Sequence, residues 1–164
     1  MYSWRVTKYD PLNRDAEGSY LIDEEWTCFS EVGTKVRIEE YRITEQNYLN
    51  AISSFMAEMD LNRLYVTDLE QSSEEVKSQK ATKFLSKIWI GKAITVQEVQ
   101  ELVKLTLRNV IWCKIGIKNQ FFVHFGYDYY MYIGTHRDCT KARDAVTRSG
   151  LFVEAFTSPY LRDN

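Results

Sequence analysis

The chain has few of the residues from which catalytic and metal sites are usually assembled. Among its 164 residues are two histidines, three cysteines and seven glycines. Cys28, Cys113 and Cys139 are odd in number and far apart, which argues against a disulfide framework and suits reduced thiols. Structural zinc wants four nitrogen or sulfur ligands, and no Cys-x-x-Cys pair supplies them. His136-Arg137-Asp138-Cys139 comes nearest and reads as a loop leading into a helix. There is no glycine-rich phosphate loop, dinucleotide fingerprint or nucleophile elbow. The sequence therefore predicts no cofactor, no metal and no catalytic residue. No apolar run approaches the ~20 residues of a membrane span, and Met1–Val6 lacks the basic-then-apolar pattern of a signal peptide. The expectation is a cytoplasmic protein with no membrane partner.

What is present is ordinary in bulk and unusual in one place. Hydrophobic residues make up 45% and charged residues 27%, enough for a single domain over residues 1–164 with a real core. The net charge of −2 hides an asymmetry. Residues 1–80 carry 16 acidic and 9 basic side chains, and residues 81–164 carry 7 and 12. Either the halves present faces of opposite potential or they interleave and the charges mix. The unusual place is Phe121–Ile133, which holds seven aromatic residues and one of the two histidines. Aromatics favour pleated strands and Gly126-Tyr127-Asp128 favours a turn, so the segment reads as a hairpin.

Periodicity and turn chemistry predict an α+β fold: an antiparallel sheet of five to six strands with two or three helices packed on one face. Strands are expected at Trp4–Tyr9, Leu64–Leu69, from Ile111, Phe121 and Tyr129, and at Leu151–Phe156. One helix starts near Thr44 with Tyr48, Ile52, Phe55, Met56 and Met59 inward. A second follows the capping box Thr95-Val96-Gln97-Glu98, with Val99, Leu102, Val103, Thr106 and Val110 inward. A third, short one is capped by Asp138 or Thr140 and ends at Gly150. Gln71–Lys80 reads as a mobile segment or a solvated helix. Ala81, Phe84, Leu85 and Ile88 fit a helical stripe, but Ile88-Trp89-Ile90 equally fits a short strand.

Register decides which aromatic side chains share a face. A turn at Ile117-Lys118-Asn119, with Asn119 left-handed, pairs Gly116 with Gln120. A turn at Gly126-Tyr127-Asp128 pairs Phe125 with Tyr129. One face then holds Ile111, Cys113, Ile115, Phe121, Val123, Phe125, Tyr129, Met131 and Ile133, the floor for helices. The other holds Trp112, Lys114, Phe122, His124, Tyr130 and Tyr132, rings with polar edges of the kind found in recognition surfaces. That face is either a binding surface or covered by Trp26, Phe29 or the Phe84–Ile90 segment. A two-residue Lys118-Asn119 turn would instead set Cys113 opposite His124, as a thiol nucleophile and its base require.

The acidic runs Asp23-Glu24-Glu25 and Glu39-Glu40 are sequence neighbours that do not face one another. They read as solvated charge rather than an acid/base pair. Trp4–Tyr9, Asp23–Trp26, Phe125–Tyr132 and Leu151–Glu154 with Ser158-Pro159-Tyr160 together give a resemblance. The chain resembles small, poorly characterised bacterial single-domain proteins, some of which are immunity proteins that neutralise a companion toxin. The resemblance implies a non-enzymatic binding role with another protein as partner. Asp23, Glu24, Glu25, Glu39 and Glu40 would then face a basic toxin domain, with the aromatic face as the second candidate surface. The alternative is RNA or nucleotide binding by base stacking on the aromatic face beside Lys114.

Overall fold

Seven strands form one antiparallel sheet: β1 (Tyr2–Thr7), β2 (Arg63–Gln71), β3 (Ala93–Thr95), β4 (Ile111–Ile117), β5 (Phe121–Phe125), β6 (Met131–Thr135) and β7 (Phe152–Ala155), in the spatial order β3-β2-β4-β5-β6-β1-β7. Among the described residues five α-helices accompany it: α1 (Ile38–Glu58), α2 (Ser73–Ser78), α3 (Thr82–Leu85), α4 (Val96–Leu107) and α5 (Thr140–Arg148). The computed structural model describes residues 1–21, 28–126 and 129–163. No helix among the described residues is long and apolar enough to cross a membrane. The expectation of five to six strands and two or three helices is too low. The strand it missed, β3, is three residues long and runs directly into the capping box. The Ala81–Ile88 stripe carries the short helix α3, with Ala81, Leu85 and Ile88 buried, and Ile88-Trp89-Ile90 is not a strand. Gln71–Lys80 holds α2 behind the last residue of β2.

The long helices follow their apolar stripes. α4 begins at the expected capping box, with Glu98 N donating to Thr95 Oγ1 and Thr95 N donating to Glu98 Oε2. Val99, Leu102, Val103 and Thr106 are buried along it. α1 starts six residues before Thr44, because Tyr41 and Glu45 extend its buried stripe through Tyr48, Ile52 and Phe55. Glu45 hid that continuation by breaking the apolar period. Its carboxylate takes 2.6 and 2.8 Å hydrogen bonds from the Arg108 guanidinium at the end of α4. α5 is capped by neither Asp138 nor Thr140. Cys139 is its N-cap, and the free amide of Ala142 donates 2.6 Å to Glu58 Oε2 in the last turn of α1.

Both aromatic hairpins differ from the expected register by two residues. Gly116 pairs with Phe122, and Phe125 pairs with Met131. An even shift leaves every side chain on its expected face. The expected core face, together with Trp4 and Val6 of β1, packs into one cluster with α1, α4 and α5. Asn119 is left-handed at φ 60°, as expected, and so is Tyr129 at φ 61°, a backbone region an aromatic residue rarely adopts. The edge strands β3 and β7 have three and four residues, too short to template pairing with another chain.

Candidate functional site

The second sheet face carries the candidate residues Trp112, Lys114, Phe122, His124, Tyr130 and Tyr132, joined by Arg5 of β1 and Glu154 of β7. Phe122 and His124 stack with ring centroids 4.3 Å apart. The Phe122 ring lies across Gly134 of the next strand, where an added Cβ would overlap it. Lys114, Phe122, His124 and Tyr132 are 6%, 7%, 3% and 4% exposed, while Trp112 and Tyr130 are half-buried. The rings are therefore not an open stacking platform.

Neither Phe29 nor the Phe84–Ile90 segment supplies the cover. Trp26 lies outside the described residues. Phe29 packs edge-on against Tyr41, Arg108 lies 4.4 Å above the Phe29 ring, and Leu85 and Ile88 enter the helical core. The cover is the segment after β7, which doubles back across the sheet as a strap. Ser3 Oγ donates to Phe156 O at 2.7 Å and accepts from Ser158 N at 3.2 Å. His124 Nδ1 shares a 2.8 Å hydrogen bond with Ser158 Oγ. Tyr160 reaches β4, its ring 5.9 Å from Trp112, 6.2 Å from His124 and 6.0 Å from Tyr132.

Residues 14–20 cover the other end of this face. Glu154 accepts 2.6 Å hydrogen bonds from Arg5 Nε and from Arg14 Nη2, and Arg14 also donates to the Tyr20 hydroxyl. Burial pushes the Glu154 carboxyl up, but the hydrogen bonds from Arg14 and Arg5 outweigh it and hold the group below its ordinary value. The Arg5 guanidinium stacks 4.2 Å from the Phe156 ring and 4.9 Å from Tyr130.

An open cleft of about 970 Å³ lies where the strap ends, lined by Trp112, Tyr130, Tyr160, Lys114, Asp68 and Glu70 among others. A β-bulge in β2 supplies its two carboxylates. Val66 pairs with Ile115 but Asp68 pairs with Lys114, so Thr67 is the extra residue. Upstream of the bulge the even-numbered Leu64 and Val66 face the helices; downstream the odd-numbered Leu69 does. Asp68 and Glu70 are thereby turned to the aromatic face beside Lys114 and Trp112. Lys114 Nζ lies 3.8 Å from Asp68 Oδ2, and Glu70 is exposed at the rim. Trp112 is held by its indole N–H, which donates 2.8 Å to Phe125 O.

The other sequence candidates lie apart. Glu39 and Glu40 are exposed in the first turn of α1, and Glu40 pairs with Arg37 at 2.6 Å. Among the described residues no hydrogen bond or ion pair joins them to the aromatic face. Asp23, Glu24 and Glu25 lie outside the described residues. Cys113 and His124 sit on opposite faces of the sheet, so the thiol–imidazole pair of the two-residue turn does not form. Thr106 gives its hydroxyl proton to Leu102 O, so the Cys113 thiol donates to Thr106 Oγ1 at 3.3 Å. Burial pushes that thiol up to about 12. Exposed His136 and buried Cys139 do not share an environment.

Sequence reasoning missed Asp68, Glu70, Ser158 and Tyr160. Ser158-Pro159-Tyr160 enters the sequence reading only through the resemblance, and nothing in a period-2 pattern announces a bulge. No protein-family model, curated protein or solved structure matches the chain.

Proposed function

We propose that this is a non-enzymatic protein-binding domain that receives its partner in the cleft beside Trp112. The observation that carries the reading is the joint display there of half-buried rings and acidic groups. Large rings held in place by hydrogen bonds and packing give contact area at little entropy cost, and rings of this kind dominate interface energetics. Asp68 and Glu70 at the rim favour a basic partner and speed its approach. The resemblance to bacterial immunity proteins fits this division of labour: rim carboxylates steer a basic toxin domain, and the rings anchor it by steric block. On this reading the protein acts in the cytoplasm of a bacterium. Nucleic-acid stacking is less well supported, since Phe122 and Tyr132 lie beneath the strap.

The test is co-expression with the product of the neighbouring gene, then size-exclusion chromatography and titration calorimetry. A stable complex is expected, with Trp112→Ala and Glu70→Lys each weakening it at least tenfold and added salt slowing association. Separate elution of the two proteins, or affinity indifferent to both substitutions, would count decisively against the cleft.

A further inference from the structure

Two exposed apolar side chains adjacent in sequence, Trp89 and Ile90, lie on the turn that leads into β3. Trp89 is 59% exposed and Ile90 58%. The turn is closed by Lys92 N donating to Trp89 O at 3.0 Å and by Gly91 at φ 93°. Its base is fastened to β2, with Gly91 N donating to Val66 O and Val66 N donating to Lys92 O. Ile88 and Leu85, just before it, point into the core. Trp89 and Ile90 are thus held outward by a rigid support rather than displayed by a loose loop. Tyr65 of β2, 42% exposed, adds a ring on the strand next to β3.

Behind Glu74 and Glu75 at the start of α2, the segment leading to this tip carries charge of one sign. From Val76 to Gly91 the chain holds Lys77, Lys80, Lys83 and Lys87 and no carboxylate. All four lysines are exposed, and none makes a salt bridge among the described residues. Lys83 and Lys87 are four residues apart on α3 and the helical turn that continues it, opposite the buried Ala81, Leu85 and Ile88. Lys92 sits 5.5 Å above the Trp89 ring but is already neutralised by Glu98 at 2.6 Å.

We infer that the Trp89–Ile90 turn together with Lys83 and Lys87 forms a docking surface for an anionic lipid bilayer. Tryptophan partitions to the headgroup level, a neighbouring aliphatic side chain enters the acyl boundary, and lysines close to the surface are attracted to acidic headgroups. Two side chains on a tight turn fall well short of the roughly 800 Å² that each partner contributes to a stable protein interface. A base-stacking site would have no use for Ile90. The surface is independent of the cleft and lies on the membrane without crossing it.

Co-sedimentation with vesicles tests this directly. One set is phosphatidylcholine alone, the other phosphatidylcholine with phosphatidylglycerol. The expected result is sedimentation with the anionic vesicles only, lost at high salt and reduced at least tenfold in Trp89→Ser/Ile90→Ser and in Lys83→Glu/Lys87→Glu. Both variants change exposed side chains, and their circular dichroism is expected to match that of the unsubstituted protein. Absence of sedimentation, equal sedimentation with neutral vesicles, or folded variants that sediment as well as the unsubstituted protein would each overturn the inference.

Discussion

His124 and Ser158 share a 2.8 Å hydrogen bond that ties the segment after the last strand to the middle of the sheet. His124 is 3% exposed and Ser158 2%, so neither group has ready recourse to water. Around this bond Tyr160 turns three separate strands into one enclosed layer by touching Trp112 of β4, His124 of β5 and Tyr132 of β6.

Ser158→Ala removes two hydrogen bonds, the one shared with His124 Nδ1 and the one accepted from Tyr160 N, and leaves the rings covered, so a loss of about 1–3 kcal/mol is expected in urea unfolding. Tyr160→Ala removes the cover itself. Binding of the dye ANS should rise several-fold in that variant with far-ultraviolet circular dichroism unchanged. Unchanged dye binding would mean that Tyr160 does not seal the face.

The Glu45–Arg108 pair is buried between α1 and the end of α4, with side chains 6% and 16% exposed. Arg108→Ala leaves a buried carboxylate without its partner, and a loss of roughly 3–5 kcal/mol is expected in denaturant titration. Glu45→Gln together with Arg108→Met should recover much of it. Equal losses in the single and double variants would rule out the charge as the cause.

Glu154 is held below its ordinary value in the folded chain, so its ion pairs contribute full stability above the unfolded carboxyl value of about 4.3. That contribution is lost as pH falls through the lower, folded value. The stability difference between the unsubstituted protein and Glu154→Gln should be constant from neutral pH to about 5 and shrink below about 4. Unfolding curves collected across that range would show it.

Cys113 and Cys139 are buried and their thiols are pushed up by burial, whereas Cys28 is half-buried. A thiol reagent at mildly alkaline pH should modify Cys28 first in the native protein and reach the other two only in urea. Rapid modification of Cys113 would contradict its packing against Thr106.

Gly134→Ala would drive a methyl group into the Phe122 ring. Overpacking of this kind costs about 1–3 kcal/mol. Phe122→Leu in the same chain should return part of it, and a thermodynamic cycle over the four proteins measures the coupling.

The division of the aromatic hairpin into two faces could be read from the chain because side chains alternate with period two. An error of two residues in both turns therefore did no harm. The capping box at Thr95 was legible because its partners are three residues apart. The partners of Glu45, Ala142 and His124 could not be read: Arg108, Glu58 and Ser158 lie 63, 84 and 34 residues away in the chain. The acidic rim was hidden for another reason. An uninterrupted strand would send Asp68 to the helical side with Leu64 and Val66, and only the extra residue at Thr67 reverses it.

The position of β1 has a consequence for how the chain is made. It lies between β6 and β7, and Trp4 pairs with both Ile133 and Ala155. A ribosome that has reached the end of α4 has released a strand with no neighbour. Trp4 and Val6, central to the finished core, must wait exposed or borrow contacts until β6, which begins at Met131, has emerged. The sheet therefore grows around β1 only after β6 and β7 have been made.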